Sequence, residues 1–471
     1  MLLLSVGLAQ EKATSPDTRV WSISYWMKMA EKGIVPYNPT IEVPPAEYTG
    51  SEIRIPGMAV QNSPDVPIIN SSTTTQSENS VFVNPNNPNK VLNSNNSTDF
   101  PVTGVFGADY WMTTDGGNTW NGSIQGAGGP NSGDPAAAIS LNNRYYIGYI
   151  AANGGQGVAY STNEGSSWTH VQVANPPFGG LLDKNHLWVD NSGSSPYTNY
   201  LYDAWTNFGG TNDGDIEFSR STNGGLTWSS PVNISSAVGA GSHNQGVNIQ
   251  TGPNGEVYAV WAIYDSWPSD ETALGFAKST NGGATWLPAS RIITNIRGIR
   301  NTGTSKNMRV NSFPVMAVDI SGGPRNGWIY VVWANYGTPG INTGPDIDVY
   351  MIRSNDGGAT WSSPIRVNQD TPGLGNEHYF PWITCDPVTG NLSVIFYDDR
   401  NVASNQCEVF VATSSDGGTT WNDFKVSDVA FTPAPIPGLA NGYFGDYLGI
   451  SAYNDQVYPV WTDNRAGNAL A

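Results

Sequence analysis

The octapeptide Ser354-Asn355-Asp356-Gly357-Gly358-Ala359-Thr360-Trp361 is one of six related segments in this chain of 471 residues. Each segment carries Asp or Asn at its third position, Gly at its fifth and Trp at its eighth. Successive Trp residues lie 48, 60, 58, 75 and 60 positions apart, so the chain is built from a repeated unit. The six segments are residues 113–120, 161–168, 221–228, 279–286, 354–361 and 414–421.

The repeated octapeptide has the composition of a hairpin turn. The Asp or Asn oxygen accepts hydrogen bonds from nearby backbone N–H groups, and the glycine that follows adopts a positive φ. The Trp then packs between neighbouring sheets. We therefore expect structural roles for the Asp or Asn of all six segments, which are Asp115, Asn163, Asn223, Asn281, Asp356 and Asp416.

The composition narrows the fold class further. The chain has 54 Gly and 32 Pro, its charged content is only 13 %, and its net charge is −18. Long helices and coiled coils are therefore unfavourable, and a nucleic acid partner is excluded by charge. Turn residues beside many aromatic residues predict an all-β protein of short strands.

The six segments resemble the Asp-box (BNR) repeats of the sialidase superfamily, over residues 77–468. The resemblance implies a β-propeller of four-stranded blades, with each box between the third and fourth strands on the face away from the active site. Seven inner strands at a mean spacing of 61 residues favour seven blades; six blades are the alternative. The inner strands are expected near Glu78, Asp134, His186, His243, Phe313, Phe380 and Phe444.

The first fifty residues differ from the repeats. Residues 1–10 resemble the end of a secretory signal peptide, so we expect a secreted or cell-surface protein. Residues 11–50 predict one helix outside the main domain and a Pro-rich linker, and residues 51–471 predict the propeller. No apolar run is long enough to span a membrane. The sequence does not decide whether Cys385 and Cys407 form a disulfide. We expect a monomer.

The strand order predicts which residues face the side opposite the boxes, at the starts of inner strands and the ends of second strands. A rim of carboxylates, imidazoles and aromatic rings suits a carbohydrate partner. We expect no cofactor, and no metal, because the three rim histidines lie on separate blades. The candidate substrate-binding residues are Asp134, His186, His378, Tyr379, Trp261 and Arg400, although Trp261 and Arg400 also suit structural packing and ion pairing.

Three functions remain open. The sialidase resemblance implies that Arg54 and Arg309 hold a substrate carboxylate while Tyr447 attacks the sugar, and Asp446 is a further catalytic candidate. A resemblance to seven-bladed polysaccharide lyases implies instead that His186 or His243 and Tyr379 or Tyr447 act as base and acid, with Arg309 neutralising a uronate. A propeller that binds glycan or protein without catalysis is the third possibility, so whether the chain is an enzyme is undecided.

Overall fold

The structure of the protein is a computed structural model that describes residues 15–52, 62, 64–127, 129–239 and 241–471. The predicted signal-peptide remnant and Arg54 lie outside these residues. The described residues contain one α-helix, α1 (Ile23–Glu31), which begins after Ser22, whose hydroxyl accepts from the N–H of Tyr25. The short strand β1 (Glu47–Tyr48) follows the helix.

Six four-stranded antiparallel sheets, the blades, follow one another along the chain. The first blade consists of β2 (Thr74–Val83), β3 (Val91–Asp99), β5 (Tyr110–Thr113) and β6 (Asn121–Ser123), and β4 (Val105–Ala108) also pairs with β3. The second blade consists of β7 (Ala136–Ile139), β8 (Tyr145–Ile150), β9 (Gln156–Ser161) and β10 (Thr169–Ala174). The third blade consists of β11 (Leu181–Val189), β12 (Leu201–Phe208), β13 (Ile216–Ser221) and β14 (Val232–Asn233). Two 3₁₀ turns cover Gly210–Asn212 and Ser236–Val238.

The other three blades have the same order, with the inner strand first. The fourth blade consists of β15 (His243–Thr251), β16 (Val257–Tyr264), β17 (Ala273–Ser279) and β18 (Ser290–Ile293). The fifth blade consists of β19 (Val315–Val318), β20 (Ile329–Tyr336), β21 (Ile347–Ser354) and β22 (Ile365–Arg366). The sixth blade consists of β23 (His378–Cys385), β24 (Leu392–Asp398), β25 (Glu408–Ser414) and β26 (Asn422–Lys425). The strand β27 (Val429–Ala430) pairs with β1.

The expectation of seven four-stranded blades is corrected to six. Among the described residues, the last inner strand, β28 (Gly449–Tyr453), pairs only with β29 (Gln456–Val460), so a two-stranded hairpin stands where a seventh blade was expected. The hairpin packs between the sixth and first blades, where the hydroxyl of Ser451 accepts from the N–H of Val83.

The six repeated octapeptides form the turns between the third and fourth strands of the six blades. In the fifth blade, Asp356 Oδ1 accepts from the N–H of Thr360 at 2.9 Å, and Gly357 and Gly358 have φ of 70° and 88°. We call the side of the propeller that carries these turns the turn face, and the opposite side the cap face.

The core lies between the blades. The Trp of a turn packs against an aromatic ring of the preceding blade, as Trp286 does with Phe218 at 4.8 Å and Trp361 with Phe276 at 5.3 Å between ring centroids. No helix of the described residues is long and apolar enough to cross a membrane. Cys385 and Cys407 are both free thiols.

Candidate functional site

The inner strands surround a central channel, and each of them pairs on one side only, leaving backbone groups free on the other. Part of this free edge is used by a belt of hydrogen bonds in which an inner-strand N–H donates to a side chain of the preceding inner strand or, in the case of Asp134, to a side chain two residues before that strand begins. The belt consists of Ala137 with Ser80, Lys184 with Asp134, Ile249 with His186, Met316 with Asn248, and Val83 with Ser451.

β-Bulges interrupt four of the inner strands at one level of the channel. In these bulges Glu78, Lys184 and Phe380 have φ of 57°, 53° and 54°, while Gly246 takes the equivalent position in the fourth blade. Positive φ in a residue other than glycine costs about 1–3 kcal/mol. A bulge redirects a side chain, and here the bulges bring Glu78 and Lys184 together.

A cluster of buried charges fills the cap-face end of the channel. Lys184 Nζ lies 2.6 Å from Asp446, 3.4 Å from Glu78 and 3.5 Å from Asp134. Arg309 binds the same Asp446 carboxylate with two nitrogens, at 3.0 and 2.9 Å. These five residues, contributed by separate parts of the chain, form one ion network that we call the charge cluster.

The protons in this cluster are unevenly distributed. Burial raises the pKa of the Glu78 carboxyl well above its usual range. The charge of Lys184 opposes this rise, whereas the charges of Asp446 and Asp134 add to it. Burial also acts on Asp446, but Arg309 and Lys184 outweigh it and hold its pKa below the usual value. Because Glu78 also hydrogen-bonds Asp446, Glu78 carries the proton and Asp446 is ionised.

Residues 17–31, which we call the cap, cover the charge cluster. Trp21 lies between two guanidinium groups, 4.3 Å from Arg300 and 4.6 Å from Arg309, and it is itself buried. Its N–H donates to Asp183 at 2.8 Å, and its carbonyl accepts from Arg309 at 2.8 Å. The helix expected to lie outside the main domain is therefore part of the segment that closes the cap face.

At the other end, the channel holds a cavity of about 260 Å³ that reaches the turn face. We call it the channel cavity. Its mouth lies among the loops that join first and second strands, where Gly193 and Val388 are exposed. Its aromatic and polar lining includes Phe82, His186, Trp188, Trp382, Gln250, Thr251, Asn191, Thr384 and Ser80.

His186 and Trp382 also line a smaller space of about 40 Å³ that continues toward Lys184 and Asp446. The His186 ring is stacked on Trp188, with centroids 6.2 Å apart and planes 14° apart, and it lies 5.8 Å from Trp382. Burial lowers the pKa of His186 to about 3, so its ring is neutral near pH 7.

The structure brings four of the expected site residues together, namely Arg309, Asp446, Tyr447 and Asp134. The Tyr447 hydroxyl donates to the carbonyl of Pro135 at 3.1 Å, and Lys184 lies over its ring at 5.2 Å. Every one of these groups is engaged by protein neighbours beneath the cap. The expected partner Arg54 lies outside the described residues.

Three other candidates lie apart from this group and are buried. His243 stacks on Tyr264 at 4.2 Å, and burial lowers its pKa to about 2. Trp261 is wholly buried and donates to Asn244. Tyr379 is also wholly buried, and burial raises the pKa of its hydroxyl well above the usual value.

His378 belongs to an ion network between the fifth and sixth blades. Burial alone would lower its pKa, but Asp398 at 3.2 Å and Asp370 at 3.4 Å raise it to about 9. Asp348, Asp370 and His378 present ligand-type atoms within 4.8 Å of one another. Arg366 lies 2.8 and 2.6 Å from the two carboxylates and supplies the positive charge there.

Arg400 makes a similar bridge, since one of its nitrogens lies 2.6 Å from both Asp398 and Asp423. The channel residues Trp188 and Trp382 are not among the predicted site residues, because the strand order points to the ends of strands. They stand farther along the inner strands, beyond the bulges. Trp188 could have been predicted from its spacing of two residues from His186, because residues at that spacing on one strand face the same side.

No protein-family model matches the chain, and no curated protein matches it in sequence. Solved structures with a similar fold include a polysaccharide lyase, the PL25 ulvan lyase bound to -[GlcA(1-4)Rha3S]-, at 12 % identity and a TM-score of 0.51, over 83 % of this chain and 90 % of that one. They also include the K499G mutant of NanB sialidase from Streptococcus pneumoniae, at 12 % identity and 0.45, over 79 % and 72 %.

A third similar structure is the α-L-arabinanase of Penicillium chrysogenum complexed with arabinobiose, at 11 % identity and a TM-score of 0.41, over 82 % of this chain and 99 % of that one. Likeness at such identities shows the fold alone. The chain is a β-propeller of four-stranded blades similar in fold to these proteins, and its assignment to the Asp-box family stays a prediction.

Proposed function

We propose that this protein binds carbohydrate in the channel cavity and does not cleave it. The observation that carries the proposal is the aromatic wall formed by Trp188, Trp382 and Phe82 around His186. Sugar rings present apolar C–H faces that pack on aromatic rings, while a few polar groups fix their orientation. We also propose that the protein acts outside the cell, because residues 1–10 resemble the end of a secretory signal peptide.

The polar groups around that wall suit sugar hydroxyls. Nδ1 of His186 accepts from the N–H of Ile249 at 3.1 Å. The neutral ring therefore carries its proton on Nε2, which is a hydrogen-bond donor. Gln250 and Thr384 add further donors and acceptors, and the free backbone edges of the inner strands add more.

Binding without cleavage follows from where the acids lie. A general acid or base must come within hydrogen-bond reach of its substrate, but Glu78 and Asp446 are tied to Lys184 and are almost completely buried under the cap. The sialidase alternative needs Arg309 to leave Asp446 and the Tyr447 hydroxyl to leave Pro135. We therefore expect no release of methylumbelliferone from a methylumbelliferyl sialoside; sustained release lost in Tyr447→Phe would restore that alternative.

The binding proposal is tested with a printed glycan array followed by calorimetric titration of the best oligosaccharide. Trp382→Ala should weaken binding at least about tenfold, or about 1.4 kcal/mol, while Trp382→Phe should retain part of the affinity. The matched control is Phe178→Ala, because Phe178 is fully exposed and lies outside the cavity. Absence of any glycan signal, or full affinity in folded Trp382→Ala, would refute the proposal.

A further inference from the structure

We infer that the channel cavity recognises the uncharged end of a glycan chain, inserted from the turn face. The inference rests on the proposed function and names the part of the glycan that is bound. It uses three properties of the cavity, namely that it is closed at one end, that it is small, and that its lining is uncharged.

The cavity is closed on the cap side. Beyond His186 and Trp382 the channel continues only as the smaller space of about 40 Å³, which ends at the charge cluster. Trp21 covers that cluster, and the side chains of Lys184 and Asp446 keep only 4 % and 0 % of their exposure. A polysaccharide therefore cannot thread the channel. A chain end can enter, whereas an internal segment would have to fold back on itself.

The size of the cavity agrees with one terminal residue. Pockets for drug-sized ligands have volumes of about 300–1,000 Å³, and the channel cavity has about 260 Å³. The following residues of the glycan would lie at the mouth, beside Val388 and Gly193. There they contact exposed loop residues and add little specificity.

The lining selects an uncharged ligand. Among the described residues that line the cavity there is no Asp, Glu, Lys or Arg, and burial keeps His186 neutral by lowering its pKa to about 3. A carboxylate or sulfate would enter without a partner, and burying an unpaired charge is costly. The net charge of −18 further disfavours an anion.

The test compares array glycans that share an interior and differ at the terminus. Bound glycans should share one neutral terminal residue whatever their interior, and a terminal carboxylate or sulfate should lower affinity at least tenfold. Hits that share an internal motif whatever their terminus, or that bind equally with an anionic end, would overturn the inference and leave the proposed function standing. No binding to any glycan would instead remove the proposed function itself.

The direction of entry is tested with two variants and the best array oligosaccharide. Val388→Trp narrows the mouth at a side chain that is 45 % exposed, so it should weaken binding at least tenfold while the protein stays folded. Lys28→Trp places the same bulk on an exposed position of α1 at the cap face and should leave affinity unchanged. Equal affinity in both variants, or a loss confined to Lys28→Trp, would contradict entry from the turn face.

Discussion

The two ends of the central channel are built from the same inner strands and differ in almost every other respect. The cap-face end holds Glu78, Asp134, Lys184, Arg309 and Asp446 in one buried network. The turn-face end is lined by aromatic, aliphatic and neutral polar groups around an open cavity. Charge density, which often marks a catalytic site, here lies where solvent and ligand are excluded.

This difference separates two uses of polar groups. At the cap-face end they pair with one another, and the charges join residues far apart in the chain, such as Arg309 and Asp446. At the turn-face end the polar groups stand around free volume. The charged end is therefore expected to determine the stability of the protein, and the neutral end to determine its affinity for a ligand.

The largest effect is expected for Lys184→Met. Removing the ammonium leaves Glu78, Asp134 and Asp446 buried with less compensation, and breaking a buried ion network costs about 3–5 kcal/mol. Chemical denaturation should show this loss in the free energy of unfolding. The control is Lys90→Met, which removes a surface pair with Glu164 of 2.7 Å and should cost less than about 1 kcal/mol. Similar losses in the two variants would show that the charge cluster has no special role.

Trp21→Ala should cost nearly as much, about 3 kcal/mol, because it removes a buried aromatic ring from between Arg300 and Arg309. Glycan affinity of the folded variant should not change, because no residue of the cap lines the channel cavity. Tyr48→Ala, at a side chain that is 64 % exposed, is the control and should be nearly neutral. A large fall in affinity in Trp21→Ala would join the two ends into one site.

Much of the propeller is predictable from sequence, because a hairpin turn depends on local chemistry. The Asp356 carboxylate, its two glycines and Trp361 are each required by the turn and by packing on the preceding blade. The blade count is less accessible, since β28 and β29 have strand patterns but find no third strand in the described residues. A local pattern shows that a strand forms and not how many partners it has.

The candidate site was predicted less well, for two physical reasons. Arg309, Asp446 and Tyr447 lie at the cap face, but nothing local in the sequence shows that Trp21 covers them, because that contact joins residues nearly 300 positions apart. The bulges at Glu78 and Lys184 shift the alternation of side chains along the inner strands. A strict period of two therefore does not tell which residues reach the channel.

The pH dependence should differ between the ends. Burial, with Asp134 nearby, raises the pKa of Asp183 to about 7, whereas an unfolded Asp has a pKa of about 3.9. Between these two pKa values the folded state keeps the proton of Asp183, whereas the unfolded state has lost it. The free energy of unfolding therefore falls as the pH rises from about 4 to 7. Asp183→Asn, which keeps an acceptor for Trp21, should remove the contribution of Asp183 to this fall and be about 2 kcal/mol more stable at pH 8.

The matching expectation at the open end is a constant affinity. His186, with its pKa lowered to about 3 by burial, stays neutral from pH 5 to 8, so calorimetric titrations across that range should give one dissociation constant. Denaturation of wild type and Asp183→Asn at pH 4.5 and 8 supplies the other half of the comparison. An affinity that follows the stability of wild type with pH would contradict the separation of the two ends.

The smallest effect is expected for Asn223→Ala in a repeated turn, on the turn face but outside the cavity. Asn223 accepts from the N–H of Thr227 at 3.0 Å and donates to its hydroxyl at 2.8 Å, so the change should cost about 1 kcal/mol. Asn223→Asp should retain stability, because Asp115, Asp356 and Asp416 make the same acceptor bonds in sibling turns. Affinity should stay constant in both variants. If Asn223→Ala instead weakened glycan binding at unchanged stability, the repeated turns would belong to the binding site, and the boundary between scaffold and site would have to move outward from the channel.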